Sequence, residues 1–483
     1  MKFSSLILPA LAFAFTSEAL AQLQLDSAQS QSTNKSAASA PENHPEAYRQ
    51  FKAALELQAK ENSMDSCPAI MIAIQATGDE FSVEQWMEHA AKENNPVALC
   101  FVATKHLNLV LSKDKMTDKT KKNVAMIKKA ADMKYTPAMV DYSIYLRNGV
   151  GVFTNTAAAD RTLMEACRSG SFETRYSWLR QTKRLEKFED QTRPEVEVEI
   201  KRGNHYVIHH LSSKAPSSYV VYNMLTTAAR LGNPYAMYEL SRHLSRNNLH
   251  AASYHYLKAA AEHHNPEALS TLGHYLLDPN EKIAEILGTQ KNEAAGIELL
   301  KISAILGDST ARFHMGRLYY HGLHGVEQDK TKAYKHIEEG LTMRPNDVGF
   351  MTAQGFMLAN GDGVEKNEKR GVELIQTAAK AGYPYAMAIR AYMNFRGLGL
   401  QANGKEAAFE LENLATAGFD ICFVYLALIY DEGGAGLEKD ERKVRYYLDH
   451  AKRRLGERAE TAFNDMKTKH GKWVLTPFEI SNN

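Results

Sequence analysis

An all-α, right-handed solenoid of helix–loop–helix repeats is the fold class the sequence predicts, on two observations. A loop phrase, Gly-x-Gly-(Val/Leu)-x-x-(Asn/Asp), occurs five times. Each copy follows a small or apolar anchor by eleven residues, and from Ala311 to Cys422 the anchors recur at intervals of 36 to 39 residues. A phrase repeated at that period marks stacked helical hairpins, each burying its apolar face on its neighbours.

The elements of one unit follow from the residues. The phrase appears as Gly149-x-Gly151-Val152 to Asn155, Gly361-x-Gly363-Val364 to Asn367, and Gly397-x-Gly399-Leu400 to Asn403. Two copies carry one extra residue: Gly322, Gly325, Val326, Asp329 and Gly433, Gly436, Leu437, Asp440. Their anchors are Ala138, Phe350, Ala386, Ala311 and Cys422. After an anchor, apolar or small residues return at +4, +5 and +8, as in Met315, Gly316 and Tyr319, which is one face of a helix. The first Gly then falls where a helix-ending residue takes the left-handed conformation, which Gly adopts without steric cost. The Val or Leu turns inward. The Asn or Asp stands where a second helix begins and caps its free amides. Second helices follow, as in Lys332-Ala333 to Gly340 and Arg370-Gly371 to Ala381.

Weaker units lack the phrase. Ala90-Ala91 leads to an anchor at Ala98, Ala228-Ala229 to Ala236, and Ala260-Ala261 to Ala268. The segment 181–217 holds no clean register. It is densely charged, and Val196, Val198 and Ile200 alternate with strand period, so an irregular solvated break is expected, or extra helices that reset the array. After about residue 458 a terminal cap is expected, with Trp473, Val474, Leu475 and Phe478 folding back.

Lys2, the apolar run Leu6–Phe15 and Ala19-Leu20-Ala21 have the pattern of a secretory signal peptide over 1–21, cut after Ala21. Residues 22–45 read as a disordered Ser/Gln/Ala-rich spacer. Residues 46–180 are degenerate helical repeats, 181–217 the break, 218–457 the C-terminal array and 458–483 the cap and tail. The expected location is the periplasm or the medium. With 58 Lys+Arg against 57 Asp+Glu there is no net field for nucleic acid, and no later apolar run is long enough to span a membrane.

The units resemble the Sel1-like repeat family, a branch of the tetratricopeptide-like α-solenoids, over about residues 85–457. The match is carried by Ala311, Met315, Gly316, Tyr319, Gly322, Val326, Asp329, Lys332 and Ala333, and by Cys422, Leu426, Tyr430, Gly433, Leu437 and Asp440. The resemblance implies an adaptor or scaffold. It also implies, for exported bacterial members, a role in envelope assembly, host contact or virulence. Cysteine-rich relatives are linked to β-lactam or peptidoglycan handling; this chain has four cysteines and lacks their paired pattern. A degradation-type lumenal adaptor is a third reading, with one glycosylation sequon at Asn34.

No catalytic, cofactor-binding or metal-binding residue emerges. Gly399, Gly404 and Lys405 approach a phosphate-binding loop, but Glu406 stands where Ser or Thr must meet Mg²⁺. His205, His209 and His210 have metal-ligand spacing without a companion carboxylate. Ser112-x-x-Lys115 lacks the companion elements of a serine penicillin-interacting enzyme. Cys67 and Cys100 could bridge neighbouring hairpins, and Cys422 reads as a small core residue. The expected role is therefore non-enzymatic, with a protein or peptide partner gripped on the concave face. Among 23 tyrosines, Tyr235, Tyr238, Tyr385 and Tyr392 lie off the core register and could line such a surface.

Overall fold

The computed structural model describes residues 40–62, 67–107, 116–278, 290–399 and 401–468. The signal peptide, most of the spacer, Ser112–Lys115, Leu400 and Trp473–Phe478 lie outside the described residues. Among the described residues there are twenty-four α-helices and no β-strand. The chain forms two compact units, Met1–Ala311 and Arg312–Asn483.

The first unit contains α1 (Pro45–Glu61), α2 (Cys67–Thr77), α3 (Ser82–Lys92), α4 (Pro96–Leu107), α5 (Asp118–Asp132), α6 (Thr136–Asn148), α7 (Thr156–Cys167) and α8 (Phe172–Gln181). It continues through α9 (Pro194–Lys201), α10 (His205–Ser212), α11 (Ser218–Arg230), α12 (Pro234–Arg246), α13 (His250–Glu262), α14 (Pro266–Leu277) and α15 (Glu293–Ile305). The division falls inside α16 (Ser309–His321). The second unit holds α17 (Lys330–Met343), α18 (Val348–Asn360), α19 (Glu368–Lys380), α20 (Pro384–Arg396), α21 (Gly404–Thr416), α22 (Cys422–Glu432), α23 (Glu441–Leu455) and α24 (Arg458–Thr468). Each helix packs chiefly on its neighbours in sequence, which is the solenoid pattern.

The loop phrase ends one helix and starts the next. Gly149, Gly361 and Gly397 are left-handed caps, with φ/ψ of 64/42°, 74/34° and 68/26°. Gly433 departs: its φ is 64° but its ψ is 170°, because the longer loop leaves in an extended direction. Asn155, Asp329, Asn367, Asn403 and Asp440 each accept a hydrogen bond from a first-turn amide, at 2.9 to 3.1 Å. The same residues donate their own N–H back to the first helix; Asn367 reaches Leu358 O at 2.8 Å and Asp329 reaches Tyr319 O at 2.8 Å. The cap thus ties both helices of a hairpin to one loop. The inward Val or Leu is half-buried at Val152, Val326, Val364 and Leu437.

Small residues set how closely hairpin helices cross. At the +5 place, a Cβ on Gly355 would stand 2.8 Å from Gly371 O, and one on Gly371 2.5 Å from Gly355 O. Gly273 and Gly296 face each other in the same way between α14 and α15.

Of the two expectations for 181–217, an irregular break or extra helices, the structure has the helices. The segment holds a short 3₁₀ turn (Phe188–Thr192), α9 and α10. The apparent strand alternation dissolves on a helix: Val196 is buried, Ile200 half-buried and Val198 exposed. Leu179, Leu185, Val196, Val207 and Leu211 form a small core here. The charge density is absorbed by pairing. Glu199 is buried between Arg175 and Arg202, each 2.9 Å away, and accepts from the Asn204 side chain at 2.9 Å. At the C-terminus, α24 packs on both α22 and α23 and supplies the cap over the described part of the tail.

The first unit also closes on itself. α2 packs against α15, and Lys301 Nζ donates to Gly78 O at 3.1 Å, 223 residues away in sequence. The ammonium lies 3.8 Å from the buried Glu80 carboxylate. One hydrophobic core runs from Tyr48 through to Leu299 and Ile302.

Candidate functional site

Four successive first helices of the hairpins, α8, α10, α12 and α14, present one continuous row of side chains. Their buried anchors are Thr174, Val207, Ala236 and Ala268. The residue before each anchor is turned about 100° around the helix, away from the hairpin crossing. Those residues are Glu173, Tyr206, Tyr235 and Glu267. One turn further on the same face stand Tyr176, His209 and Tyr238.

The row is joined across every helix step. Tyr206 OH donates to Glu173 Oε1 at 3.2 Å, and the Tyr176 and Tyr206 rings lie 5.9 Å apart. His209 stacks on Tyr235 with centroids 6.2 Å apart and planes 29° apart. Tyr238 OH lies 3.2 Å from Thr271 Oγ1 on α14. Arg242 covers the Tyr238 ring at 5.9 Å. Tyr235 is 42% exposed, and Glu267 and Thr271 are exposed as well. These are aromatic surfaces held by their neighbours, which lowers the entropy lost on contact with a partner.

The three histidines do not converge. His205 Nδ1 is 3.1 Å from the Asn233 side-chain nitrogen, and its ring meets Phe172 at 5.4 Å. His210 Nε2 is 3.0 Å from Leu185 O, and its Nδ1 lies 3.4 Å from Tyr176 OH. Among the described residues, no group of three His, Cys, Asp or Glu side chains is placed to hold a metal ion. Burial is the main cause that lowers the pKa of all three, and it carries His209 down to about 4, with His210 and His205 adding to the effect. The imidazoles are therefore neutral near pH 7.

A stability change follows. In the unfolded chain His209 protonates near its ordinary value, while in the fold it resists until about pH 4. The unfolded state then binds more protons between those limits, so stability falls as pH drops from about 6.5 towards 4. His209 should contribute on the order of 2 kcal/mol to that loss, allowing for its partial exposure. Thermal denaturation at pH 7 and pH 5 checks this. His209→Gln should flatten the difference, and an unchanged slope would refute the assignment.

Not every expected surface tyrosine lies on the surface. Tyr385 is 8% exposed and packs edge-on against Phe419 at 5.1 Å; Tyr392 is 4% exposed and meets Tyr425 at 5.6 Å. In the second unit the neighbouring hairpins cover a second face of each first helix, so positions off the core register are buried too. Of the four, Tyr235 and Tyr238 belong to the row. Sequence reasoning passed over Glu173, Tyr176, Tyr206 and Glu267, and weighed His209 only as a metal ligand. The signal was the place before each anchor; none of the four helices is followed by the loop phrase, and α8 and α10 also lack the Ala-Ala pair that marks Ala236 and Ala268.

The other expected chemistry resolves into structure. Cys67, Cys100 and Cys422 are buried and Cys167 half-buried, all as free thiols, so the Cys67–Cys100 bridge does not form. The Cys100 thiol instead faces Asp141 Oδ2 at 3.7 Å, and burial pushes the Asp141 carboxyl up to about 6. Gly404 and Lys405 open α21, whose N-terminal amide at Glu406 is taken by the Asn403 side chain. No described helix is long and apolar enough to cross a membrane.

The family model described as "Sel1 repeat" matches residues 227–264, 309–340, 350–383 and 384–411. The first stretch includes the part of the row on α12. Among solved structures, the chain is similar to a protective antigen present in uropathogenic Escherichia coli strains, displaying an SLR fold. Identity is 19% over 89% of this chain and 92% of that one, with a TM-score of 0.45. It is also similar to a Sel1 repeat protein from Oxalobacter formigenes, at 21% identity over 53% of this chain and 99% of that one, with a TM-score of 0.37. No curated protein matches the sequence. With four stretches matched and a capped hairpin built around each loop phrase, this chain carries Sel1 repeats over those stretches.

Proposed function

We propose that this protein is an exported, non-enzymatic scaffold that binds a protein or peptide partner along the row on α8, α10, α12 and α14. The carrying observation is the continuity of that row: four successive helices joined by tyrosine and histidine contacts, with Tyr235 left 42% exposed. Aromatic side chains in fixed positions give large contact area at low entropic cost. Sel1 repeats typically serve protein–protein interaction, which supports the same reading. Export rests on Lys2, the Leu6–Phe15 run and Ala19-Leu20-Ala21.

The test places a photo-crosslinking amino acid at Tyr238 in the full chain expressed in its native cell. A discrete crosslinked protein is expected. Tyr235→Ala should weaken capture of that partner about 10- to 30-fold, the loss of one buried aromatic anchor. Crosslinking unchanged by Tyr235→Ala would place binding elsewhere. N-terminal sequencing of the native protein should begin at Gln22; an intact Met1 would refute export.

A further inference from the structure

We infer that the partner of this row is an extended segment bearing two basic side chains about seven to nine residues apart. The inference rests on the row being the binding face, and adds the chemistry of what it takes. Its two ends are carboxylates, Glu173 on α8 and Glu267 on α14. Neither takes part in an ion pair among the described residues. Glu173 accepts from Tyr206 OH and the Ser171 hydroxyl only. Of the cations close by, Arg175 pairs with Glu199, and Arg242 lies over Tyr238 and 3.9 Å from Glu239.

Between the two carboxylates the row carries aromatic rings and neutral imidazoles. Glu173 stands beside Tyr206, and Glu267 beside Tyr235, whose ionisation it opposes. Each end therefore offers a ring next to an uncompensated negative charge. A Lys or Arg can lay its aliphatic stem along such a ring and place its charge at the carboxylate. An acidic segment meets a carboxylate and repulsion at both ends, the cations between them being Arg242 over Tyr238 and Arg180 near Tyr176.

The spacing follows from the helices. Glu173 and Glu267 are three helix steps apart. Neighbouring axes pack at about 8–10 Å, giving roughly 24–30 Å. An extended chain advances about 3.3 Å per residue, so the two basic side chains stand about seven to nine residues apart.

The probe is a random 14-residue peptide library displayed on phage, selected against the full chain and against the Glu173→Gln/Glu267→Gln double variant. Glutamine keeps an acceptor for Tyr206 OH, and circular dichroism confirms that the variant is folded. Peptides enriched on the parent protein should carry Lys or Arg pairs at that spacing. As synthetic peptides they should bind the double variant about 10-fold more weakly, and the difference should shrink at high salt. Enriched peptides that are neutral or acidic, or that bind both proteins equally, overturn the inference; so does a failure to enrich any sequence. Neutral peptides that are nonetheless lost on Tyr235→Ala would overturn the basic-partner chemistry alone and leave the binding face in place. Peptides indifferent to Tyr235→Ala would overturn both.

Discussion

Gly363→Ala is expected to destabilise the second unit by about 3 kcal/mol or more, whereas Gly382→Ala should cost only about 1 kcal/mol. Both glycines have positive φ, 72° and 81°. The backbone penalty for adding a Cβ is therefore shared. The difference is packing. A Cβ on Gly363 would stand 2.0 Å from Lys330 O and 2.6 Å from Thr331 N, while at Gly382 nothing lies within 4 Å. Lys330 opens α17, and its carbonyl cannot retreat without disturbing the first turn. Overlap with backbone cannot be relieved by a rotamer change, so the loop must shift and the Asn367 cap with it. Thermal and denaturant unfolding of the two variants checks the comparison. Equal losses would show that conformation alone, not close approach, explains the second Gly of the phrase.

Lys301→Ala is expected to destabilise the first unit by about 3 kcal/mol and to loosen α2 from α15. Lys301 is the cation facing Glu80, whose side chain is 1% exposed, and it also lowers the pKa of Glu298, which burial raises and Glu80 raises further. Removing it leaves the Glu80 and Glu298 carboxylates opposed where the turn after α2 meets α15, and deletes the bond to Gly78 O. Deleting one partner of a buried pair costs more than replacing both by neutral groups. Glu80→Gln with Lys301→Met should accordingly recover much of the loss. Hydrogen exchange should show α2 opening faster in the single variant than in the double one. If exchange in α2 were the same in the parent and in Lys301→Ala, the closing contact would not depend on this ion pair.

The repeat framework was legible residue by residue. Gly361 and Asn367 could be placed as helix stop and helix start because a positive φ and a first-turn cap are decided by the residues themselves and by neighbours a few positions away. The close crossing at Gly355 was likewise foreshadowed by the small residue at +5. The aromatic row was only partly visible. Tyr235 and Tyr238 stood out as off-register, but so did Tyr385 and Tyr392, and the two pairs have opposite fates. Nothing within α20 tells that Phe419 and Tyr425 will cover its second face. Glu173 and Tyr206 were missed because neither the loop phrase nor an Ala-Ala pair marks the register of their helices, whereas Ala228-Ala229 marks that of α12. The charge of 181–202 suggested a solvated break, yet Glu199 is buried because two arginines and Asn204 converge on it.

By itself the sequence determined that this chain is a stack of capped helical hairpins and where the hairpins that carry the loop phrase turn. Helix propensity, glycine conformation and capping act over roughly ten residues, so they survive as a readable pattern. The tertiary structure alone decided which helix faces remain open, that Glu173, Tyr206, Tyr235 and Glu267 form one row, and that α2 meets α15. Those outcomes depend on how successive hairpins cover one another and on contacts as distant as Lys301 and Gly78, 223 residues apart, for which the local pattern holds no constraint.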